Sequence, residues 1–164
     1  MVEGRDGGGH FSGRLTAPLV FAGSIARQIL KTHNIEIFSH IYKIGKILDE
    51  NIENQDLNSL RNISNKEFPT INDLSGEKMQ KLIEEIRLDQ NSIGGIIETM
   101  AINIPIGLGE PFFNSLESSI SHLAFSIPAV KGIEFGYFKS SSNVIYSNTE
   151  IGRASCRERV SSPV

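Results

Sequence analysis

The 164 residues are 39% hydrophobic and 21% charged, a composition typical of one soluble globular domain with a single core. The formal net charge of -3 excludes a general attraction to nucleic acid or to an anionic membrane, and no apolar run reaches the roughly 18 residues that cross a bilayer. Cys156 is the only cysteine, which excludes an intrachain disulfide and a cysteine-based zinc site, and a reducing, cytoplasmic setting is expected.

A glycine-rich loop, Gly7 to Arg14, opens the chain and leads into a helix. Three consecutive glycines are unfavourable inside a helix or a strand, so they predict a loop whose backbone comes close to another group. From Leu15 to Thr32 the apolar residues recur at steps of three and four, which predicts a helix with one buried face. Pro18 lies early in this helix, where the first turn tolerates it.

The next segments alternate between strand and helix patterns. Ile35 to Ile44 predicts a strand, and the polar stretch Lys46 to Pro69 predicts a surface excursion with one short helix. Ser75 is predicted to cap a helix from Gly76 to Asp89.

The last third begins with a β-rich stretch from Ser92 to Ile104. A turn at Gly107 to Pro111, a helix from Asn114 to Phe125 and a strand from Val130 to Phe135 follow. From Tyr137 onward the pattern decays. The order of elements alone suggests an α/β fold without excluding α+β.

The glycine loop carries the clearest chemistry. Glycine N–H groups, the Ser12 hydroxyl, the Arg14 guanidinium and a protonated His10 are all donors to an oxyanion. They precede a helix N-terminus, which itself attracts anions. One interpretation is therefore a phosphate site. The other is an ordinary loop in which Ser12 only caps the helix, and the pattern matches neither a Walker loop nor a dinucleotide fingerprint.

The remaining polar residues are interpreted as structural. The scattered histidines are predicted to be surface groups or hydrogen-bonded partners and not ligands. Glu98 could face a site, but a solvated strand position is the favoured interpretation, and Asp49 with Glu50 is predicted to be ordinary exposed charge. The histidines concerned are His33, His40 and His122.

Three blocks of the sequence resemble the chorismate synthases. Gly9 to Thr16 fits a signature of glycine, two residues, serine, a small residue, arginine, one residue and serine or threonine, and a helix rich in small residues follows. The later blocks are Ser92 to Glu98 with Pro105 to Pro111, and Ser126 to Gly136, in the order of the family. The resemblance covers roughly Arg5 to Gly136.

The resemblance implies an α+β fold, a β-α-β sandwich with long helices between antiparallel sheets, and this replaces the α/β inference. It divides the chain into a central family segment at 1–136, a weakly matching continuation at 137–150 and a tail at 151–164 that is foreign to the family.

The resemblance also implies an activity. Chorismate synthases are lyases of the shikimate pathway that convert 5-enolpyruvylshikimate 3-phosphate to chorismate by trans-1,4 elimination of phosphate. They require reduced FMN, are associated with NADP and are homotetramers. How the flavin is reduced stays open, and neither nucleic acid nor a membrane is an expected partner.

Residue roles follow from the same resemblance. His10, Phe11 and Ser12 match the stretch that contacts FMN, while Ser12 and Arg14 match the substrate side, where Arg14 would pair with phosphate or carboxylate. The family's catalytic histidines lie in Gly-Glu-Ser-His-Gly and Arg-Pro-Gly-His segments, and these 164 residues contain neither. We therefore expect no turnover from this chain alone. The alternative is a non-catalytic fragment that only binds phosphate ligands or self-associates.

Overall fold

A computed structural model describes residues 13–137 and 145–151 of the chain. Within them, short 3-10 turns lie at Gly13–Leu15, Ile52–Asn54 and Phe112–Asn114. The four helices are α1 (Thr16–Thr32), α2 (Leu57–Ile63), α3 (Asp73–Leu88) and α4 (Leu116–Ser126). The five strands are β1 (Glu36–Ile44), β2 (Ile47–Leu48), β3 (Gly95–Ile102), β4 (Val130–Tyr137) and β5 (Ile145–Ile151).

The strands form one antiparallel sheet in the order β2-β1-β3-β5-β4. The expectation of an α+β fold is confirmed, and the α/β inference from element order was wrong. β5 lies between β3 and β4 and was missed, because the apolar pattern in this part of the sequence is weak. The division of the chain at residues 136 and 151 stays a prediction.

Helix α1 begins and ends close to its predicted bounds. The expected buried face is wrong, however, since none of its residues is buried, and Val20 and Phe21 are 66% and 71% exposed. Beyond the turn that precedes it, the helix lies mainly against β1, and most of its large apolar side chains are exposed. A helix with apolar residues on several sides is normally covered, so this one presents a surface suited to further packing.

The core lies where the polar stretch Lys46 to Pro69 meets the sheet. Ile52, Leu60 and Ile63 from this stretch are at most 5% exposed and pack against side chains of β1 and β3. The prediction of a surface excursion was therefore wrong. Its apolar residues belong to elements of only three and seven residues, too short for a periodic pattern to stand out among polar neighbours. The strand side chains of this cluster are Phe38, Met100 and Ile102.

Helix α3 is capped by Asn72 and not by Ser75 as predicted. The Asn72 Oδ1 atom accepts a hydrogen bond from the Leu74 N–H at 3.0 Å, and the helix begins at Asp73, ahead of the expected start. Ser75 therefore lies inside the first turn. Gly76, one residue later, is buried against Thr70, where a Cβ atom would stand 2.5 Å from the hydroxyl oxygen.

Candidate functional site

The predicted anion site lies at the start of α1. Gly13, Arg14 and Leu15 form a 3-10 turn that runs directly into the helix, and the Thr16 hydroxyl closes it by donating to the Gly13 carbonyl at 2.6 Å. Leu15 occupies the N-cap position and provides no side-chain cap. The first N–H groups of α1 therefore receive no side-chain acceptor from the Leu15 position.

Arg14 is the only charged residue of this turn and it is exposed. Neither the turn nor the first turn of α1 contains an acidic residue. The positive end of the helix dipole and the Arg14 charge both favour an anion near this turn, and these two turns contain no carboxylate. The dipole alone typically contributes about 0.3–1 kcal/mol to an anion near a helix N-terminus.

The other predicted site residues cannot be located. His10, Phe11 and Ser12 lie outside the described residues, together with the rest of the glycine loop before Gly13. Their grouping with Arg14 stays a prediction.

A separate cleft of about 1050 Å³ lies at the opposite end of α1, between that helix, β1 and Arg61 of α2. Arg61 makes a bidentate contact with Glu36, with nitrogen-to-oxygen distances of 3.0 and 2.6 Å, and this hydrogen-bonded pair lowers the pKa of Glu36. Arg27, which also lines the cleft, is thirteen residues beyond Arg14, or about 20 Å along a helix. Arg27 in the cleft is therefore remote from the turn that contains Arg14.

The strongest polar cluster of the described residues is one that sequence reasoning missed. His40 lies between two carboxylates, with Nε2 2.5 Å from Glu98 Oε2 and Nδ1 3.2 Å from Asp49 Oδ2. All three side chains have no exposure to solvent. The predictions of a solvated Glu98 and an exposed Asp49 were wrong. A hydrogen-bonded His40 is confirmed, although its partners are 9 and 58 residues away in sequence.

Backbone groups complete this cluster. The Ile52 N–H donates to Glu98 at 2.8 Å, and the N–H groups of Ile71 and Asn72 donate to Asp49 at 2.6 and 3.0 Å. A sealed cluster of this kind cannot touch a substrate, so its role is structural. Across residues 13–137 and 145–151, no group of three or more His, Cys, Asp or Glu is arranged to hold a metal ion.

A sequence signal for the cluster did exist. Side chains two residues apart in a strand lie on the same face. His40 is therefore in phase with the buried Phe38, and Glu98 with Met100 and Ile102. Alternation alone predicts both polar side chains to point into the core.

None of the helices in the described ranges is both long and apolar enough to span a membrane.

Comparison with known proteins gives one consistent result. The family model described as chorismate synthase matches residues 2–160. A protein of Lancefieldella parvula named chorismate synthase is 42% identical over 153 residues, which are 86% of this chain and 40% of that protein. Proteins of the same name from Korarchaeum cryptofilum and Pyrococcus abyssi are 42% and 41% identical, and the match covers 79% of this chain in each case.

The fold also has a solved counterpart. A structure described as the crystal structure of chorismate synthase superimposes with a TM-score of 0.72 at 22% identity, over 87% of this chain and 56% of that one. At this identity the likeness concerns the fold alone. The chain spans 35–40% of the length of the curated relatives quoted above.

Proposed function

The chain belongs to the chorismate synthase family, and we propose that the protein it represents is a lyase that makes chorismate in the shikimate pathway. The reaction is the trans-1,4 elimination of phosphate from 5-enolpyruvylshikimate 3-phosphate. The match of the family model to residues 2–160, which includes the signature from Gly9 to Thr16, carries this proposal. Because the chain covers well under half of each of these relatives, the activity is proposed for the whole protein.

Anion handling is the part of the chemistry that this chain would supply. The substrate carries phosphate and carboxylate groups, and its phosphate gains charge as it leaves. Arg14 offers a planar, permanently charged fork that fits either group, and Ser12 adds a hydroxyl donor. Donors held at the positive end of α1 would stabilise that developing charge, as preorganised groups do in other active sites.

The same loop would hold reduced FMN through His10, Phe11 and Ser12. The exposed Arg14 and the absence of acidic residues from the first turn of α1 fit a ligand that bears a phosphate. When bound, reduced flavin lends an electron transiently in a reaction that has no net redox change. The loop glycines offer backbone N–H groups without side chains that would block a close approach.

Acid–base catalysis would need the family's two histidine-bearing segments, and the 164 residues contain neither motif. We therefore expect binding, but no turnover, from this chain alone. A homotetrameric assembly and a cytoplasmic location belong to the same proposal, and both rest on the family.

Ligand titration tests this proposal on the chain itself. We expect reduced FMN and 5-enolpyruvylshikimate 3-phosphate, each titrated anaerobically, to bind the unaltered chain, and Arg14→Ala to weaken substrate binding by about tenfold or more, as loss of a charged hydrogen bond does. Arg87→Ala is the matched control, because Arg87 is an exposed arginine that pairs only locally with Glu84. Equal substrate affinities in the two variants would show that Arg14 does not contribute to substrate binding. Chorismate formation by this chain alone would contradict the role given to the missing histidines.

One observation favours the alternative of a non-catalytic, self-associating fragment. The apolar residues of α1 stay exposed, and exposed apolar patches promote association. Sedimentation velocity together with the titrations distinguishes a ligand-binding chain from a fragment that only self-associates. Oligomers that bind neither ligand would support the self-associating form of the alternative, whereas ligand binding by a monomer would contradict that form.

A further inference from the structure

The buried cluster of His40, Asp49 and Glu98 joins parts of the chain that are distant in sequence. His40 lies in β1 and Glu98 opposite it in β3, while Asp49 follows β2 and opens the segment that runs to Asn72. We call residues 49–72 the core-filling segment, because it supplies half of the main hydrophobic cluster. The two carboxylates thus attach this segment to the sheet through one imidazole ring.

The two ring contacts require two protons. An ionised carboxylate only accepts hydrogen bonds, and a neutral imidazole carries a single N–H. Asp49 already accepts a backbone N–H on each oxygen, and Glu98 Oε2 accepts the Ile52 N–H. Two arrangements satisfy these contacts. One is an imidazolium that donates from Nδ1 to Asp49 and from Nε2 to Glu98, and the other is a neutral ring that donates to Asp49 and accepts from a protonated Glu98.

We propose that the second ring proton of His40 is a conformational latch that holds the core-filling segment closed on the sheet. When that proton leaves, one ring nitrogen turns a lone pair towards a carboxylate, and that buried charge loses one of its donors. Such a loss is strongly unfavourable in the interior, so the segment opens and lets water reach the group. The titratable groups facing His40 in the described structure are Asp49, Glu98 and, edge-on at 6.1 Å, Tyr42 of the same strand.

Opening of the latch can be followed at the three backbone N–H groups that donate to the two carboxylates. Ile52 donates to Glu98, and Ile71 and Asn72 donate to Asp49. If Glu98 served only as a local hydrogen-bond acceptor, its loss would affect Ile52 alone. If His40 transmits the effect, loss of Glu98 also exposes the amides at Ile71 and Asn72, whose own acceptor is unchanged.

Nitrogen NMR of the histidine rings in the intact chain is the first test. We expect His40 to show two slowly exchanging ring N–H signals at neutral pH. Glu98→Gln leaves one, at Nδ1, and Asp49→Asn leaves one, at Nε2. The exposed His33 and His122 serve as internal references, with ring protons that exchange rapidly. A single ring N–H on His40 in the unaltered chain overturns the proposal, whether or not the variants fold.

Amide hydrogen exchange is the second test. We expect Glu98→Gln to speed exchange at Ile71 and Asn72 by about tenfold, the ratio that corresponds to about 1.4 kcal/mol of local stability. Glu134→Gln, a change of an exposed carboxylate in β4 of the same sheet, should leave these amides unchanged. Unchanged protection of Ile71 and Asn72 in Glu98→Gln refutes the latch.

Discussion

Replacing Leu60 by alanine tests whether the polar stretch between β2 and α3 truly belongs to the core. Leu60 is 1% exposed and belongs to the cluster that also contains Ile52, Phe38 and Met100. Leu60→Ala removes buried methyl groups and leaves a cavity, which typically costs about 2.7–5 kcal/mol. We expect about 3 kcal/mol, a large share of the roughly 5–15 kcal/mol by which natural domains are stable.

Leu57→Ala is the matched control, since Leu57 lies three residues earlier in the same helix but is 42% exposed. Part of its side chain is already in water, and alanine is the slightly better helix former, so we expect less than about 1 kcal/mol of destabilisation.

Urea unfolding followed by circular dichroism measures both effects. With a slope of about 2 kcal/mol per molar urea, the midpoint should fall by about 1.5 M for Leu60→Ala and by less than about 0.5 M for Leu57→Ala. Equal shifts in the two variants would refute the placement of α2 against the sheet. An unchanged slope is required for the comparison, because it shows that the surface exposed on unfolding is the same.

Two further predictions concern α3 and the pair on β1. Gly76→Ala places a methyl group against the buried Thr70 and should cost about 1–3 kcal/mol, whereas Gly23→Ala in α1 meets nothing within 4 Å and should stabilise by up to about 1 kcal/mol. If thermal unfolding showed that both substitutions raise, or both lower, the unfolding temperature, this packing would be contradicted. The hydrogen-bonded Arg61 lowers the pKa of Glu36 below its ordinary value of 4.5, so the stability it contributes is present above that value and disappears as pH falls through the lowered pKa. Glu36→Gln should flatten the dependence of unfolding free energy on pH in this acidic window, and an unchanged slope would argue against the pair.

Regular elements of sufficient length could be predicted from the sequence. The seventeen residues of α1 give several repeats of the helical spacing, and β1 lies in a clear strand pattern. The core contribution of Ile52 and Leu60 could not be predicted in this way, because each belongs to a short element with a polar surrounding. Burial there depends on tertiary contact and not on a local repeat.

The polar cluster escaped prediction for a different reason. Charged residues are rarely buried, so Asp49 and Glu98 were each assigned to the surface when considered singly. Strand alternation could have placed His40 and Glu98 on the core side, but their pairing with each other and with Asp49 depends on a strand register and a tertiary contact that local sequence does not reveal. At the candidate site, the sequence did predict correctly that Arg14 would lie just ahead of a helix. The roles of His10, Phe11 and Ser12 stay predictions.

The position of β5 in the sheet sets a rule for how the chain can assemble during synthesis. β5 is the last strand of the described chain, yet it separates β3 from β4, and both earlier strands pair with it and not with each other. A nascent chain that has completed Tyr137 therefore lacks the strand that hydrogen-bonds to both β3 and β4. The sheet becomes continuous only after Ile145–Ile151 has left the ribosome, so a product that stops before this strand would have β2, β1 and β3 in one sheet and β4 as a single separate strand.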